Sequence, residues 1–207
     1  SFHEQKEMET KVHLLLICLS ILILHQSLAF GTMSRGDSAK HLCITKEREA
    51  LLEFKRGLID EHNILSSWKN DEDGEECCSW RGVECSNITG HVLVLNLRGS
   101  IETTPDDSNV LMLTGNISSS LVNLQYLKYL DLSFNDFGGE IPKFIGYFKR
   151  LEYLNLSDSY SHFTGLIPPQ FQNLTRLRVL DLGANSLTAK SLRWISRLVY
   201  LEYLDLS

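Results

Sequence analysis

Leu127-Lys128-Tyr129-Leu130-Asp131-Leu132-Ser133 returns as Leu151-Glu152-Tyr153-Leu154-Asn155-Leu156-Ser157, as Leu177-Arg178-Val179-Leu180-Asp181-Leu182-Gly183 and as Leu201-Glu202-Tyr203-Leu204-Asp205-Leu206-Ser207. The restarts lie 24, 26 and 24 residues apart, the period of a solenoid whose units each supply one layer of core. Three leucines of each copy point into the core from a short parallel strand, and Lys128, Tyr129, Asp131, Ser133 and Phe134 point out of it. Stacking puts Tyr129, Tyr153, Val179 and Tyr203 in one outward column and Asp131, Asn155, Asp181 and Asp205 in the next. With Phe134, these aromatic and acidic columns form a candidate recognition face on the concave side. A phrase repeated this regularly also has a purely structural reading.

Upstream, Val92-Leu93-Val94-Leu95-Asn96-Leu97 matches the phrase in register and opens the array, giving about five repeats over residues 92–207 with the last cut short. A solenoid needs a covered end, so the sequence reads as the front piece of a longer protein. A polar excursion, Ser100 to Val110, interrupts the first repeat before Leu113-Thr114-Gly115-Asn116-Ile117-Ser118 resumes it. Insertions of this kind become loops on one face, and such loops often bind.

Eight residues past their starts, Asn135 and Asn185 are placed to turn inward and bond the backbone of a neighbouring bend. Ser159 holds that position in the third repeat, whose two extra residues around Tyr160 to His162 predict a bulge. Phe137, Phe163 and Leu187 make a second inward column. Gly139-Glu140-Ile141-Pro142 and Gly165-Leu166-Ile167-Pro168 follow the first two of these residues.

The N-terminus reads as a targeting segment. Lys11 precedes the apolar run Leu14 to Leu24, and Ser27-Leu28-Ala29 supplies small residues for cleavage after Ala29, or else after Gly31. Eleven apolar residues are too few to span a bilayer, which takes about 20. Cys18 leaves with residues 1–29, and Cys43, Cys77, Cys78 and Cys85 remain. An even set in a secreted chain reads as two disulfides. Three pairings are open; Cys43 with Cys77 and Cys78 with Cys85 is favoured, since it closes one long loop and one short one and adjacent cysteines pair only with strain. Zinc is disfavoured, since no C-x-x-C occurs.

Thr45 reads as the N-cap of a helix over Lys46 to Arg56, with Ala50, Leu51, Phe54 and Leu58 on one face and Gly57 as the stop. With the cysteines, Trp68 and Trp80, it makes a cap over residues 30–91 that covers the open end of the array.

The net charge of -6, and -5 once the leader's two Lys and three Glu are gone, excludes nucleic acid as the main partner. No H-E-x-x-H, phosphate loop or G-x-S-x-G turn is present, so no catalytic residue, metal or cofactor is assigned. Asp71 to Glu76 lacks the EF-hand spacing, with Glu76 and Gly82 at its sixth and twelfth positions, and reads as a solvated loop. Four sequons, at Asn87, Asn116, Asn155 and Asn173, fit a secretory glycoprotein. Asn173 lies on the outer side of its repeat; a glycan on Asn155 would obstruct the concave face.

The pattern L-x-x-L-x-L-x-x-N-x-(L/F)-x-G-x-I-P resembles plant-type extracellular leucine-rich repeats, and Cys77 to Cys85 with Trp80 resembles their N-terminal cap. The resemblance implies an α/β leucine-rich-repeat solenoid: a disulfide-held cap with one helix, then short parallel strands on the concave face. Two departures stand out. Ser118 replaces the Pro of the first repeat, and Ala189-Lys190-Ser191 replaces G-x-I-P in the fourth. There Leu192, Trp194, Ile195 and Leu198 point to a more helical back.

Within that family the polar insertion and the divergent fourth repeat are most similar to plant receptor-like proteins of the disease-resistance type. This resemblance implies a protein or peptide ligand, a kinase-bearing co-receptor and an extracellular position at the plasma membrane, held by a C-terminal helix absent from this sequence. A receptor-kinase ectodomain, or a secreted inhibitor of a cell-wall-degrading enzyme, would share the same cap and repeats. A truncated gene product is a further reading.

Overall fold

The structure, a computed structural model, describes residues 43–69, 76–103, 108–157 and 163–207. The predicted signal peptide, the acidic residues before Glu76, and the 159–162 segment with its expected bulge lie outside them. Among the described residues, no helix is long and apolar enough to cross a membrane.

The cap is built on α1 (Thr45–Arg56), with Glu47 in its first turn and Lys55 and Arg56 in its last, as the helix dipole favours. Thr45 is therefore inside the helix; the boundary residue is Ile44, and no side chain caps it. Glu47, in the first turn, is directed toward the first repeat. Its buried carboxylate accepts the Val92 N–H at 2.7 Å and meets His91 Nδ1 at 2.8 Å. The start of the helix is thus fixed by its contact with the first repeat.

Ala50, Leu51 and Phe54 are buried from one face of α1. Phe54 packs against Trp68 with ring centroids 6.5 Å apart, and Trp68 stacks on Trp80 at 5.4 Å. Trp68 Nε1 donates to the Arg81 carbonyl at 2.9 Å, so the buried indole keeps its polar atom paired. Disulfides join Cys43 to Cys77 and Cys78 to Cys85. The Sγ atoms of Cys43, Cys77 and Cys78 lie within 4.8 Å of one another, a closeness that the Cys43–Cys77 bond and the adjacency of Cys77 and Cys78 in the chain account for.

Two cap strands, β1 (Leu58–Ile59) and β2 (Val83–Cys85), precede β3 (Val92–Asn96), the first repeat strand. The polar excursion folds as an antiparallel ribbon of β4 (Ser100–Thr103) and β5 (Ser108–Leu111), with Ser100 opposite Leu111. Then come β6 (Thr114–Gly115), β7 (Tyr129–Asp131), β8 (Gly139–Glu140), β9 (Tyr153–Asn155), β10 (Phe163–Leu166), β11 (Val179–Asp181), β12 (Ser186–Thr188) and β13 (Tyr203–Asp205).

The main sheet runs β13-β11-β9-β7-β3-β2, with β3, β7, β9, β11 and β13 parallel. At its edge the cap strand β2 pairs antiparallel with β3, and β1 pairs antiparallel with β6. The cap thereby occupies backbone groups that an open edge would leave to water or to another chain. A second parallel sheet, β12-β10-β8, runs through the first residues of the two Gly-x-Ile-Pro segments, in β8 and β10, and through Ser186–Thr188 of the fourth repeat.

Each repeat returns through a five-residue 3-10 turn: Ser119–Asn123, Lys143–Tyr147, Pro169–Asn173 and Arg193–Arg197. Pro142 and Pro168 hold the extended boundary of the second and third. Ser118 holds it in the first, its hydroxyl accepting the Ser120 N–H at 3.2 Å. A side-chain bond thus does what the proline ring does by fixing φ. The helical back expected of the fourth repeat is corrected: Arg193–Arg197 is a 3-10 turn of the same length. Trp194 and Leu198 are buried four residues apart, and one such turn between two strands is enough to bury both.

The strand leucines of β7, β9 and β11 and their neighbours are buried, with Phe137 and Phe163 behind them. Asn135 sits at the bend between. Its Nδ2 donates to the carbonyls of Leu97, Leu132 and Ser133 at 2.7, 3.0 and 3.2 Å, and its Oδ1 accepts the Leu113 N–H at 2.8 Å. Asn185 repeats the set on Leu156, Leu182, Gly183 and Phe163. A primary amide can serve both needs at once because it carries two donors and an acceptor.

Candidate functional site

Strand register aligns Val94, Tyr129, Tyr153, Val179 and Tyr203 across the sheet, and beside them Asn96, Asp131, Asn155, Asp181 and Asp205. Neighbouring strands lie about 4.8 Å apart, close to the separation at which aromatic rings stack. Tyr129 and Tyr153 do so, with centroids 4.1 Å apart and planes 8° from parallel. Val179 interrupts the column and Tyr203 resumes it.

The second column is different. Asp131 Oδ1 accepts the Ser133 N–H at 3.0 Å and the Ser133 hydroxyl at 2.6 Å, while Oδ2 accepts the Tyr129 hydroxyl at 3.3 Å. Asn155 Oδ1 accepts the same two groups of Ser157 at 2.9 and 2.8 Å, and its Nδ2 donates to the Tyr153 hydroxyl at 3.3 Å. Asp181 and Asp205 accept the N–H groups of Gly183 and Ser207. The fifth and seventh residues of each phrase therefore close the turn that ends the strand.

Asp131, Ser133 and Asn155 are 2%, 0% and 3% exposed, which corrects the expectation that they face solvent. Asp181 and Asp205 stay half-exposed, and among the described residues no ion pair neutralises either. Phe134 adopts φ 57° at the end of its turn and is half-buried, with the Arg98 guanidinium 4.2 Å from its ring centroid. That stack is a cation–π contact.

The electrostatics follow these contacts. Burial, a hydrogen bond with Tyr153 and the Asp131 charge push the Tyr129 phenol well above its usual range. The Asp181 charge, then desolvation and the Asp205 charge, push Tyr203 up. Hydrogen bonds from Ser207 hold the Asp205 carboxyl below its usual value. The Tyr203 end of the column is thus a negative field around an exposed ring, one that favours an approaching cation.

Two further columns were legible only in part. At the second position Lys128 pairs with Glu152 at 3.3 Å and Arg178 with Glu202 at 2.5 Å, a ladder visible as alternating charge once the repeats are aligned. One residue before each start, His91 stacks on Tyr126 at 3.7 Å and the Arg150 guanidinium lies 4.3 Å from the same ring. Of the sequons, Asn87, Asn116 and Asn173 are exposed and Asn155 is buried.

The family profile described as "Leucine rich repeat N-terminal domain" matches residues 44–86, and profiles described as "Leucine rich repeat" match 126–148 and 149–207. The chain is similar to "Receptor-like protein EIX1" of Solanum lycopersicum, 53% identical over 155 residues, covering 73% of this chain and 14% of that protein. It thus spans about a seventh of the length of that curated relative. Among solved structures it is similar to the BIR2 ectodomain of Arabidopsis thaliana, at 28% identity and TM-score 0.66, over 77% of this chain and 78% of that one. A chain of the BIR3–SERK2 complex from the same plant matches at 31% identity and TM-score 0.64, over 76% and 78%.

Proposed function

Because the chain belongs to the leucine-rich-repeat family, with the N-terminal cap and repeats of plant receptor-like proteins, we propose that it is the N-terminal ectodomain portion of a cell-surface receptor that recognises a protein or peptide. It works by binding, not catalysis. The whole protein enters the secretory pathway, is held at the extracellular face of the plasma membrane by a later segment, and passes its signal to a kinase-bearing co-receptor in plant defence. The likeness to a chain of the BIR3–SERK2 complex supports a protein partner.

One observation carries the recognition site: the tyrosine column with its gap at Val179. Tyr153 and Tyr203 stand two strands apart, about 8–10 Å, which leaves room for one planar ring between theirs. A ligand ring inserted there would continue the stack already made by Tyr129 and Tyr153. Asp181 and Asp205 beside the slot select a neighbouring basic group, so the ligand is an extended peptide with an aromatic residue next to Lys or Arg. On one flank the Lys128–Glu152 and Arg178–Glu202 pairs are already neutralised and contribute little charge selection.

The test is a displayed random decapeptide library panned against the secreted chain and its Tyr153→Ser variant. Enrichment of aromatic–basic peptides on the wild-type chain alone supports the reading. Equal enrichment on both, or none on either, contradicts it.

A further inference from the structure

The last residues of three successive 3-10 turns, Tyr147, Asn173 and Arg197, occupy equivalent places in the repeat and line one groove of about 650 Å³. Thr175, the hydroxyl residue of the Asn173 sequon, lines the same groove. Tyr147 is 49% exposed, an aromatic ring in a column otherwise made of polar side chains. The repeats approach closely at this place for a local reason. A Cβ on Gly146 would lie 2.5 Å from Gln170 Cβ and 2.6 Å from the Gln170 backbone, so the glycine permits the contact that sets Tyr147 beside Asn173.

We propose that Asn173 carries an N-linked glycan whose first N-acetylglucosamine lies in this groove, with one sugar face against the Tyr147 ring and Arg197 on the other side. The modification is a group transfer from a lipid-linked pyrophosphoryl oligosaccharide. The sugar C1–O bond to pyrophosphate breaks, a bond forms from C1 to Asn173 Nδ2, and the amide proton leaves with the departing lipid pyrophosphate. The groove then does more than expose an acceptor. Sugar C–H groups carry partial positive charge, and the face of a tyrosine ring is negative, so the two attract as they shed water. Arg197 supplies N–H donors to the sugar hydroxyls and acetamide. The glycan becomes a strut across three repeats and covers the exposed ring, independently of what the sheet face binds.

The experiment uses the chain secreted from eukaryotic cells that add high-mannose glycans, with glycopeptide mapping and thermal melts. Asn173 is expected to be occupied. Trimming to a single N-acetylglucosamine with an endoglycosidase leaves Tm unchanged, whereas Thr175→Ala, which prevents modification and keeps Asn173, lowers it by about 2 °C. Tyr147→Ser lowers Tm by a similar amount in the glycosylated protein and has no effect in the Thr175→Ala background. An unmodified Asn173, or effects of Tyr147→Ser and Thr175→Ala that simply add, overturns the proposal. Asn173→Gln repeats the cycle with a second unmodified variant.

Discussion

Tyr129 and Tyr153, one repeat apart, lie ring on ring with centroids 4.1 Å apart and planes 8° from parallel. The tyrosine hydroxyls lean on Asp131 and Asn155, and those two side chains hold the turns that end their strands. The surface column is thus braced from beneath. A ring so held loses little freedom when a ligand lands on it, which is what preorganised recognition requires.

Tyr129 and Tyr203 should titrate late. Tyr129 and Tyr203 both have raised phenol values, so their neutral form is favoured by folding. The stabilising contribution is whole below the ordinary tyrosine value of about 10 and is lost as pH rises through the folded values above it. Tyrosinate absorbance at 295 nm should show these two phenols ionising above the ordinary tyrosine range, Tyr129 together with the alkaline unfolding step. In Asp181→Asn, Tyr203 should move back toward 10, because the Asp181 charge is its largest perturbation.

Asn135→Ala should cost about 2–4 kcal/mol in urea unfolding, because it strands the Leu113 N–H and the carbonyls of Leu97, Leu132 and Ser133 away from water. Asn135→Asp should be little better, since a carboxylate has no donor for those carbonyls. Asn185→Ala should cost less, as its site is half-exposed.

How much of this was legible in the sequence depended on the range of the interaction. Asn135 could be assigned its role because a fixed offset from the leucines puts an amide at a buried bend. The outward reading of Asp131 and Asn155 failed on a shorter relationship: a serine two residues on makes a turn that draws the carboxyl or amide inward. Glu47 with His91 was invisible, since 44 residues separate them and neither belongs to the repeat phrase. Leu192, Trp194, Ile195 and Leu198 have helical spacing, but a single 3-10 turn buries the same residues when a strand must follow at once. The slot over Val179 was present in the aligned columns; its width needed the observed ring spacing.

Opening the Cys43–Cys77 bond with paired serines should destabilise the cap by about 3–4 kcal/mol on the loop-closure account, the two cysteines being 34 residues apart. Hydrogen exchange should quicken in α1 and β2 first, while β9 and β11 keep their protection, because units of a solenoid contact mainly their neighbours.

Asn155 should remain unmodified. Its amide is buried and already bonded within the strand-ending turn. Glycopeptide mapping of the secreted chain is expected to find Asn87 and Asn116 occupied and the Asn155 peptide bare; glycan on Asn155 would mean that the turn opens before folding is complete.

The recognition reading meets its most direct test in Val179→Tyr. Tyrosine already occupies this place in the strands on both sides, so the substituted ring should fill the slot from within and leave the melt unchanged. Calorimetric titration with an aromatic–basic decapeptide selected on the wild-type chain should then show binding weakened at least tenfold. Unchanged affinity in a folded Val179→Tyr protein would contradict the claim that the gap between Tyr153 and Tyr203 is where the ligand is read.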